Sequence, residues 1–336
     1  MAELVLLDEI RTAAARLRGV AVRTPLVPFT GPTRAGLPVL VKPESLQPTG
    51  AFKLRGAYNA VCAVTRDLDS CALPEGVVAH SSGNHGFAVA YAARLLGVSA
   101  AIVVPENAPR VKTDAIKAAG AELVYVEPTF AARVAATDEI ARVRRYHPVA
   151  PFDDRDVIAG QGTIGLEIAE DAADERPEAV LVPVSGGGLI SGIAVAVKAL
   201  LPGTRVIGVE PELAADARDS LRAGRRVAWT AAQTGRTRAD ALRVEQVGEL
   251  TFPHIQAYVD DIVTVSEDEM LDAIRRLAYQ ARLIAEPGGA VAVAAALNRD
   301  ARELGVTTGP VVAVLSGGNV DPALLADVLR ARSYTG

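Results

Sequence analysis

Lys53 is the side chain of this sequence best placed for covalent chemistry. It follows a Pro-Thr-Gly turn in the segment ESLQPTGAFKLRGAYNA and stands at the start of an apolar stretch that predicts a helix. A helix amino terminus disfavours an ammonium ion, and burial beside the ring of Phe52 disfavours it further. A lysine buried in a cleft in this way is poised for Schiff-base chemistry, whereas an isolated lysine is usually solvated.

A glycine-rich turn joins the apolar segment AVLVPV to the helical pattern LISGIAVAV. It runs through Ser185, Gly186, Gly187, Gly188 and Leu189. Glycines at such a strand-to-helix junction let the backbone wrap closely around an anion. The turn is not a P-loop, because no Lys-Ser/Thr pair follows, and its spacing differs from the dinucleotide pattern GxGxxG. One phosphate therefore fits better than two, although a tight turn without a ligand would explain the same residues.

A second junction, VVAHSSGNHGFAVAYAARLLG, carries polar side chains where a predicted strand meets a predicted helix. Ser81, Ser82 and Asn84 offer hydroxyls and an amide, and the helix start near Gly83 offers N–H groups. Together these groups suit a carboxylate. His85 could act as an acid or base, but a single histidine with no evident partner favours a structural role.

Segments rich in β-branched residues alternate with alanine-rich segments along most of the chain, which predicts βαβ units and a parallel sheet. The predicted strands are VLVKPE, GVVAHS, AAIVVP, ELVYVE, AVLVPVS, RVIGVE, DIVTVS and VVAVLS. The predicted helices include GAYNAVCAVT, HGFAVAYAARLLG, RVKTDAIKAAG, GTIGLEIAED, LISGIAVAVKALLPG and EDEMLDAIRRLAYQ. Ligands bind at the carboxyl ends of parallel strands, so the loop SGGN, which begins at Ser316, is a third candidate segment.

The length of 336 residues predicts two lobes, because a domain typically has roughly 150 residues. Residues 75–150 hold a compact set of strand and helix alternations, which predicts a small substrate-binding lobe. Residues 1–74 and 151–336 would form the large lobe, and the segment PFDDRD would cross between the two. The stretch from about 222 to 257 has weak periodicity and gives no clear prediction.

The charge pattern excludes several classes of partner. The net charge is −5 with acids and bases interspersed, so the chain has neither a basic stripe for nucleic acid nor a polybasic segment for a membrane surface. The start, MAELVLLDEIRTAAARL, predicts an amphipathic helix rather than a secretory signal, and no apolar run reaches the roughly 20 residues of a membrane span. We expect a cytoplasmic protein with a small-molecule substrate, and reduced thiols at Cys62 and Cys71.

Five motifs in a fixed order resemble those of one known family. PTGAFKLRGA, SSGNHG, SGGGLISG, GVEP followed by Asp216, and LSGGN occur between about residues 20 and 320. This order is similar to that of the fold type II pyridoxal-phosphate (PLP) enzymes, which include threonine and serine dehydratases and serine racemases. The resemblance implies a tryptophan synthase β-like α/β fold, with two lobes that each hold a mostly parallel sheet flanked by helices, and a homodimer.

The resemblance implies a role for each matching residue. Lys53 would bind pyridoxal 5′-phosphate as a Schiff base, with Phe52 on the pyridine ring and Asn84 on the ring hydroxyl. Ser316 would face the pyridine nitrogen, and because a neutral hydroxyl does not hold that nitrogen protonated, prompt β-elimination is favoured. The other cofactor residues would be Ser185, Gly186, Gly187, Gly188 and Leu189 at the phosphate, and Glu286. The substrate-binding residues would be Ser81, Ser82, Gly83, Asn84 and His85.

The implied reaction is an ammonia-lyase (dehydratase) reaction that converts L-threonine or L-serine to a 2-oxo acid and ammonia. Lys53 would remove the Cα proton as general base. Ser82 matches the acid/base that racemases of this family use on the opposite face, so a serine or aspartate racemase is the alternative, and a 3-hydroxyaspartate ammonia-lyase is a third. A binding protein without a cofactor is an alternative from another functional class, and the presence of Lys53 argues against it.

Three further features of the sequence follow from the resemblance. Glu210, Ala214 and Asp216 resemble a metal site, where carboxylates and a carbonyl suit Mg²⁺ or Mn²⁺, although acids at a strand end are commonly just solvated. Ala241 stands where relatives often have the glycine of T-x-A-D-G, and we expect its methyl to narrow or reshape the pocket. The chain ends soon after SGGNVDPALLADVLRARS, so we expect no C-terminal regulatory domain.

Overall fold

Helices and strands alternate along much of the described chain. The computed structural model describes residues 3–66, 73–172 and 175–331. The strands are β1 (Val27–Phe29), β2 (Val39–Pro43), β3 (Gly76–His80), β4 (Ser99–Pro105), β5 (Glu122–Val126), β6 (Tyr146–Pro148), β7 (Ala179–Pro183), β8 (Arg205–Pro211), β9 (Asp261–Val265) and β10 (Val311–Leu315). The helices are α1 (Leu7–Arg16), α2 (Lys53–Arg66), α3 (Asn84–Leu96), α4 (Arg110–Ala118), α5 (Phe130–Arg144), α6 (Arg155–Asp171), α7 (Gly188–Leu200), α8 (Asp216–Ala223), α9 (Ala231–Thr234), α10 (Thr251–Tyr258), α11 (Glu267–Arg276), α12 (Pro287–Asn298), α13 (Ala301–Leu304) and α14 (Pro322–Arg330). Short 3₁₀ turns occur at Glu44–Leu46 and Asp240–Leu242, and a π-helical segment at Leu277–Ala281.

The strands form two sheets. The larger has the order β1-β2-β10-β7-β8-β9, in which every pairing is parallel except that of β1 with β2. The smaller has the order β5-β4-β3-β6 and is parallel throughout. These sheets flanked by helices are the predicted α/β fold class, which is confirmed.

Both faces of the large sheet are buried, which explains why its strands are apolar at nearly every position. Leu181 of β7 and Ala313 of β10 pack into one hydrophobic cluster together with α12. Val180 and Val312, their neighbours in the chain, point to the other face and pack with α7. The side-chain period of two residues thus divides each strand between two cores.

All eight predicted strands are present, and two further strands were missed. β1 and β6 have three residues each, too few to show a period, and both lie at the edge of a sheet. Pro28 and Pro148 fit those positions, because an edge strand leaves some N–H groups unpaired. Their strand conformation depends on pairing with a partner that is distant in the sequence, which no local pattern reveals.

The two predicted lobes correspond to two sheets in outline, but the boundary at residue 74 stays a prediction. The four strands of the small sheet lie between Gly76 and Pro148. Helix α2, which precedes that boundary, contributes Ala57, Ala60 and Val61 to the hydrophobic cluster of the small sheet. Arg55 of the same helix bonds to Glu167 of α6, so α2 contacts both predicted lobes.

The structure bears on the predictions of no membrane span and of reduced thiols only in part. None of the helices in the described ranges is both long enough and apolar enough to cross a membrane. Cys62 is buried within α2. Cys71 lies outside the described residues, so the predicted state of its thiol stays a prediction.

Candidate active site

The candidate site lies where three neighbouring strands of the large sheet end. β10 pairs with β2 on one side and with β7 on the other, all in parallel, so their carboxyl ends meet at one edge. The loop after β2 carries Lys53, the loop after β10 carries Ser316, and the loop after β7 is the glycine-rich turn. The strand order therefore brings together three segments that are far apart in the sequence, as the predicted parallel sheet requires.

The Lys53 amine is held in a desolvated position at the start of α2. Its Nζ donates a hydrogen bond of 2.5 Å to the carbonyl oxygen of Pro151 and lies 5.1 Å from the centre of the Phe52 ring. Removal from water lowers the pKa of Lys53 from 10.5 to about 8, because the charged form is disfavoured away from solvent. A substantial fraction of the amine is therefore neutral near physiological pH, and a neutral amine is a nucleophile and a base.

The glycine-rich turn forms a cradle at the amino end of α7. Gly187 precedes the helix with φ of +93°, a left-handed conformation that favours glycine. The Ser185 hydroxyl is buried, and it has no hydrogen-bond partner within residues 3–66, 73–172 and 175–331. A buried unpaired hydroxyl beside the free N–H groups of a helix start is the donor set that an anion requires.

Pro151 and Phe152 connect Lys53 to this cradle. Pro151 accepts the hydrogen bond from the amine, and the ring of the next residue, Phe152, lies against Gly186 so closely that a Cβ there would be 2.3 Å from ring carbon Cγ. A Cβ at Gly188 would lie 2.9 Å from the Cα of Phe152. The contact requires glycine at these positions. Sequence analysis placed these residues at a lobe crossing and missed their contact with the turn.

The loop from Ser81 to Gly86 enters α3 at the carboxyl end of β3. The N–H of Gly83 donates to the Ser81 hydroxyl at 3.2 Å, and Gly83 precedes the first helical residue. A Cβ at Gly86 would lie 2.0 Å from the Ser81 carbonyl oxygen, so the loop folds tightly over the helix start. Ser81 and Ser82 are partly exposed, so their hydroxyls are accessible to a ligand.

His85 belongs to this loop but its ring points inward. The ring is buried, and its Nε2 lies 2.9 Å from the carbonyl oxygen of Val149. Burial, followed by the charge of Lys53, lowers the pKa of His85 to about 3. The ring is therefore neutral at physiological pH and unable to act there as an acid, which agrees with the structural role that its isolation in the sequence favoured.

Asn84, Glu286 and Asn319 form a hydrogen-bonded chain across the site. The amide nitrogen of Asn84 donates to Glu286 Oε1 at 2.6 Å, and the amide nitrogen of Asn319 donates to Asn84 Oδ1 at 2.8 Å. Burial raises the pKa of Glu286 to about 7, although its hydrogen bond from Asn84 acts in the opposite direction. Asn319 was missed because only its motif, SGGN, was recognised and not its contact.

Ser316 joins the loop after β10 to the lysine segment. Its carbonyl oxygen accepts from the N–H of Phe52 at 3.0 Å, and Gly317 pairs with Ala51 as an antiparallel bridge. These bonds fix the backbone just before Lys53. Ser316 is itself buried.

Glu210 and Asp216 form a second, separate cluster of buried acids. Glu210 accepts from the N–H groups of Ala217 and Arg218 at 3.1 and 2.8 Å, while neither carboxylate oxygen of Asp216 has a hydrogen-bond partner within the described ranges. Burial raises the pKa of both acids, to about 7 for Asp216, and the charge of Asp216 raises that of Glu210 further. Ala214, the third predicted ligand, is buried nearby in the chain. The described residues contain no cluster of three or more His, Cys, Asp or Glu side chains suited to a metal ion.

Comparison with known proteins identifies the family. The sequence profile of the family described as "Pyridoxal-phosphate dependent enzyme" matches residues 17–317. This chain belongs to that family.

Individual relatives of this PLP-dependent enzyme carry different names. It is 40% identical to an L-threonine ammonia-lyase of Thermotoga maritima, over 97% of this chain and 79% of that protein. It is 38% identical to an L-threo-3-hydroxyaspartate ammonia-lyase of Saccharomyces cerevisiae, over 89% and 88%. A crystal structure of serine racemase from Dictyostelium discoideum superposes with a TM-score of 0.86 at 37% identity, covering 94% of this chain and 99% of that one. The predicted family is confirmed, and the names do not separate lyase from racemase.

The residues of the site fit the cofactor of the family. The unpaired Ser185 hydroxyl and the N–H groups at the start of α7 suit a phosphate, and the desolvated Lys53 amine suits an aldehyde. The fit rests on these groups being close together through Pro151 and Phe152.

An ion pair and a methyl group lie near Glu286 at the margin of the site of this PLP-dependent enzyme. Lys112 of α4 forms an ion pair of 2.6 Å with Asp240 of the large lobe. The next residue is Ala241, for which the resemblance implies a glycine in many relatives, and a Cβ built at Gly288 would lie 3.3 Å from its methyl. The methyl of Ala241 therefore lies next to the first turn of α12, where Gly288 follows Glu286 by two positions. Its effect on pocket size stays a prediction.

Proposed function

We propose that this PLP-dependent enzyme is an ammonia-lyase that converts L-threonine or L-serine to a 2-oxo acid and ammonia. The observation that carries the proposal is the Lys53 amine, whose pKa is lowered to about 8, linked by Pro151 and Phe152 to a glycine turn with an unpaired buried hydroxyl. Elimination of a β-hydroxyl requires a base at Cα and a firmly held substrate, and Lys53 and the Ser81 to Gly86 loop would supply them.

The same residues are assigned to the cofactor. Lys53 would attach it covalently, with Phe52 beside the ring, Asn84 at the ring hydroxyl and Ser316 near the ring nitrogen. Glu286 would act through its hydrogen bond from Asn84. The phosphate would be held by Ser185, Gly186, Gly187, Gly188 and Leu189. When bound, the cofactor supplies an electron sink for the electrons of the Cα–H bond.

The chain's own groups would carry out the proton transfers. The Lys53 amine, neutral above about pH 8, would accept the Cα proton as general base. The hydroxyls of Ser81 and Ser82 and the N–H groups from Gly83 to His85 would hold the substrate carboxylate, as the start of a helix favours an anion. His85 would contribute through its backbone, because its ring bonds to Val149.

A serine or aspartate racemase is the second candidate, and Ser82 favours it. Ser82 is partly exposed on the loop that leads into α3, and racemisation requires a second acid/base opposite the lysine. The similarity to a serine racemase structure supports this candidate, and the similarity to the yeast ammonia-lyase supports 3-hydroxyaspartate as a third substrate.

Product analysis distinguishes these activities. The purified holoenzyme is incubated with L-threonine, L-serine and 3-hydroxyaspartate, each in both configurations, and 2-oxo acid and inverted amino acid are measured separately. The proposal predicts 2-oxo acid from L-threonine or L-serine as the main product. Inverted serine with little 2-oxo acid would replace the lyase by the racemase. The Ser82→Ala variant should keep most elimination and lose racemisation, and Lys53→Ala should lose both.

The metal, the homodimer and the cytoplasmic location are part of the same proposal. Glu210, Asp216 and the carbonyl of Ala214 would bind Mg²⁺ or Mn²⁺, supported by the unpaired carboxylate of Asp216. Repeating the assay and a thermal melt with and without chelator tests the metal: chelation should lower the melting temperature of the wild type but not of Asp216→Asn. Sedimentation of the holoenzyme tests the dimer.

A further inference from the structure

Asn84 has two chemically different ends, and the cofactor contact depends on which end faces the ring. An amide oxygen only accepts hydrogen bonds, whereas the NH₂ group donates two. A donor directed at the ring hydroxyl stabilises its ionised form, and an acceptor stabilises its neutral form. The orientation of one amide therefore influences the charge of the cofactor ring.

The orientation of Asn84 is set by a hydrogen-bonded chain that begins at a backbone carbonyl. Asn319 Nδ2 donates to the Thr49 carbonyl oxygen at 2.9 Å and to Asn84 Oδ1 at 2.8 Å. A carbonyl oxygen can only accept, so the Asn319 amide cannot be reversed without placing its own oxygen against that of Thr49. Gly50, at φ of +70°, lies so close that a Cβ there would be 2.3 Å from Asn319 Oδ1, which restricts the amide further.

The other end of the chain is compatible with the same polarity. Asn84 Nδ2 donates to Glu286 Oε1 at 2.6 Å. Reversing the Asn84 amide would oppose its NH₂ group to that of Asn319, whether or not Glu286 carries a proton. With Oδ1 bonded to Asn319 and one N–H bonded to Glu286, the second N–H of Asn84 is the group left for a ligand.

We propose that Asn319 is a positioning residue that fixes the Asn84 amide so that Asn84 donates an N–H group to the ring hydroxyl of the bound cofactor. The inference rests on the proposed role of Asn84 at that hydroxyl. It adds a residue that contacts neither the lysine nor the phosphate cradle in the described hydrogen bonds. It also links the amide to the loop of Thr49, which leads into Lys53.

The test replaces the donor of Asn319 by an acceptor of the same shape. In holoenzyme carrying Asn319→Asp, the new carboxylate attracts the NH₂ group of Asn84 and reverses its amide. The ratio of ionised to neutral ring hydroxyl, read from the absorption bands of bound pyridoxal phosphate, should fall by more than about tenfold. In Asn319→Ala, no side chain at position 319 sets the orientation of the Asn84 amide. The ratio of ionised to neutral ring hydroxyl should then fall by about fivefold, the effect of roughly one net hydrogen bond.

Two further variants make the result decisive. Asn298→Asp introduces the same charge change at the far end of α12, where Asn298 donates to the Ala294 carbonyl, and should leave the spectrum unchanged. Asn84→Asp removes the donor directly and should reproduce the spectral change of Asn319→Asp. An unchanged band ratio in Asn319→Asp, or equal loss of cofactor affinity in both Asn319 variants without a spectral change, would overturn the inference.

Failure of the proposed function gives a different result. If wild-type protein does not bind pyridoxal phosphate through Lys53, the wild-type spectrum lacks the bands of a lysine-bound cofactor, and the proposed function fails. If wild type shows those bands and the Asn319 variants share its band ratio, the role of Asn319 alone fails.

Discussion

At the scale of single residues, the chemistry of Lys53 comes from loss of water rather than from a neighbouring base. Its one described hydrogen bond goes to a carbonyl oxygen, and desolvation is the cause of its lowered pKa. Burying an ammonium group in this way opposes folding. The site therefore keeps a reactive group at the expense of stability.

Replacing Lys53 by Met should stabilise the apo protein while abolishing cofactor attachment. The folded-state pKa of about 8 lies below the unfolded value of 10.5, so the opposition to folding grows as pH falls from 10.5 and is complete below about 8. At neutral pH the free energy of unfolding should rise by about 1 to 3 kcal/mol. The lower part of this range allows for the partial exposure of the Lys53 side chain, which weakens the effect of desolvation. Chemical denaturation measures it, with Lys117→Met on the exposed face of α4 as the control. A loss of stability in Lys53→Met would contradict the desolvation argument.

Residue types and spacing predicted Lys53, the glycine turn and the serine loop, but not the groups that hold them. Phe152 lies in no recognised motif and Asn319 only closes the motif SGGN, and both act through contacts with distant segments. Asn319 and Asn84 are separated by 235 positions. No local period or motif encodes such a contact, so the sequence predicts candidate reacting groups and the structure adds the contacts that hold them.

At the scale of elements, the glycine turn is packed from outside by Phe152 and from behind by α10. The Thr251 hydroxyl at the start of α10 donates to the Gly186 carbonyl oxygen at 2.6 Å, and Asp153 accepts from the N–H groups of Glu249 and Leu250. This is the region whose weak periodicity gave no prediction. Its helices are short, and its order comes from these contacts rather than from an amphipathic pattern.

Gly186→Ala should lower cofactor affinity at least about tenfold, because the new methyl would lie 2.3 Å from Phe152 Cγ and force the turn to move. The measurement is equilibrium binding of pyridoxal phosphate to the apo protein. Phe152→Leu in the same chain should restore part of the affinity by removing the ring. Gly203→Ala is the matched control, since a Cβ there meets nothing within 4 Å. Equal cofactor affinity in Gly186→Ala and wild type would contradict the proposed binding of the phosphate by the glycine-rich turn.

The N-terminal segment is attached to α10 by a bond that requires neutral His254. The N–H of Val5 donates to His254 Nε2 at 2.8 Å, and His254 Nδ1 lies 2.7 Å from the Leu250 carbonyl oxygen. Nε2 must therefore carry a lone pair and Nδ1 the proton. Burial, with a further contribution from Arg155, lowers the pKa of His254, while Glu9 and Asp153 act in the opposite direction.

Acidification should therefore release the N-terminal segment. Because the folded pKa lies below the usual 6.5, the His254 contribution to stability is complete above about 6.5 and is lost as pH falls below it, where the unfolded chain takes up the proton. The free energy of unfolding of wild type should fall more steeply below pH 6.5 than that of His254→Gln. His147→Gln is the control. Parallel pH profiles for wild type and His254→Gln would be the contrary result.

At the scale of the whole molecule, an ion pair joins the two lobes. Lys112 and Asp240 form this pair, and both side chains are partly exposed to solvent. Exposed ion pairs contribute about 0 to 1 kcal/mol, so this pair can bias closure of the lobes without locking it.

Lys112→Ala should raise KM by up to about fivefold and leave the melting temperature nearly unchanged, because the pair acts on closure rather than on either core. Steady-state kinetics and a thermal melt measure the two effects. The double variant Lys112→Asp with Asp240→Lys should restore KM. Arg142→Ala, which breaks a pair with Glu139 inside one helix, is the control. A KM that rises equally in both alanine variants would argue against a role in closure.

The most direct test of the whole account is to locate the lysine that binds the cofactor. The holoenzyme is treated with borohydride, which converts a lysine–cofactor link to a stable amine, and the modified peptide is identified by mass spectrometry. The account predicts the adduct on Lys53 and its loss in Lys53→Ala. An adduct on another lysine, or cofactor bound with no adduct at all, would contradict it.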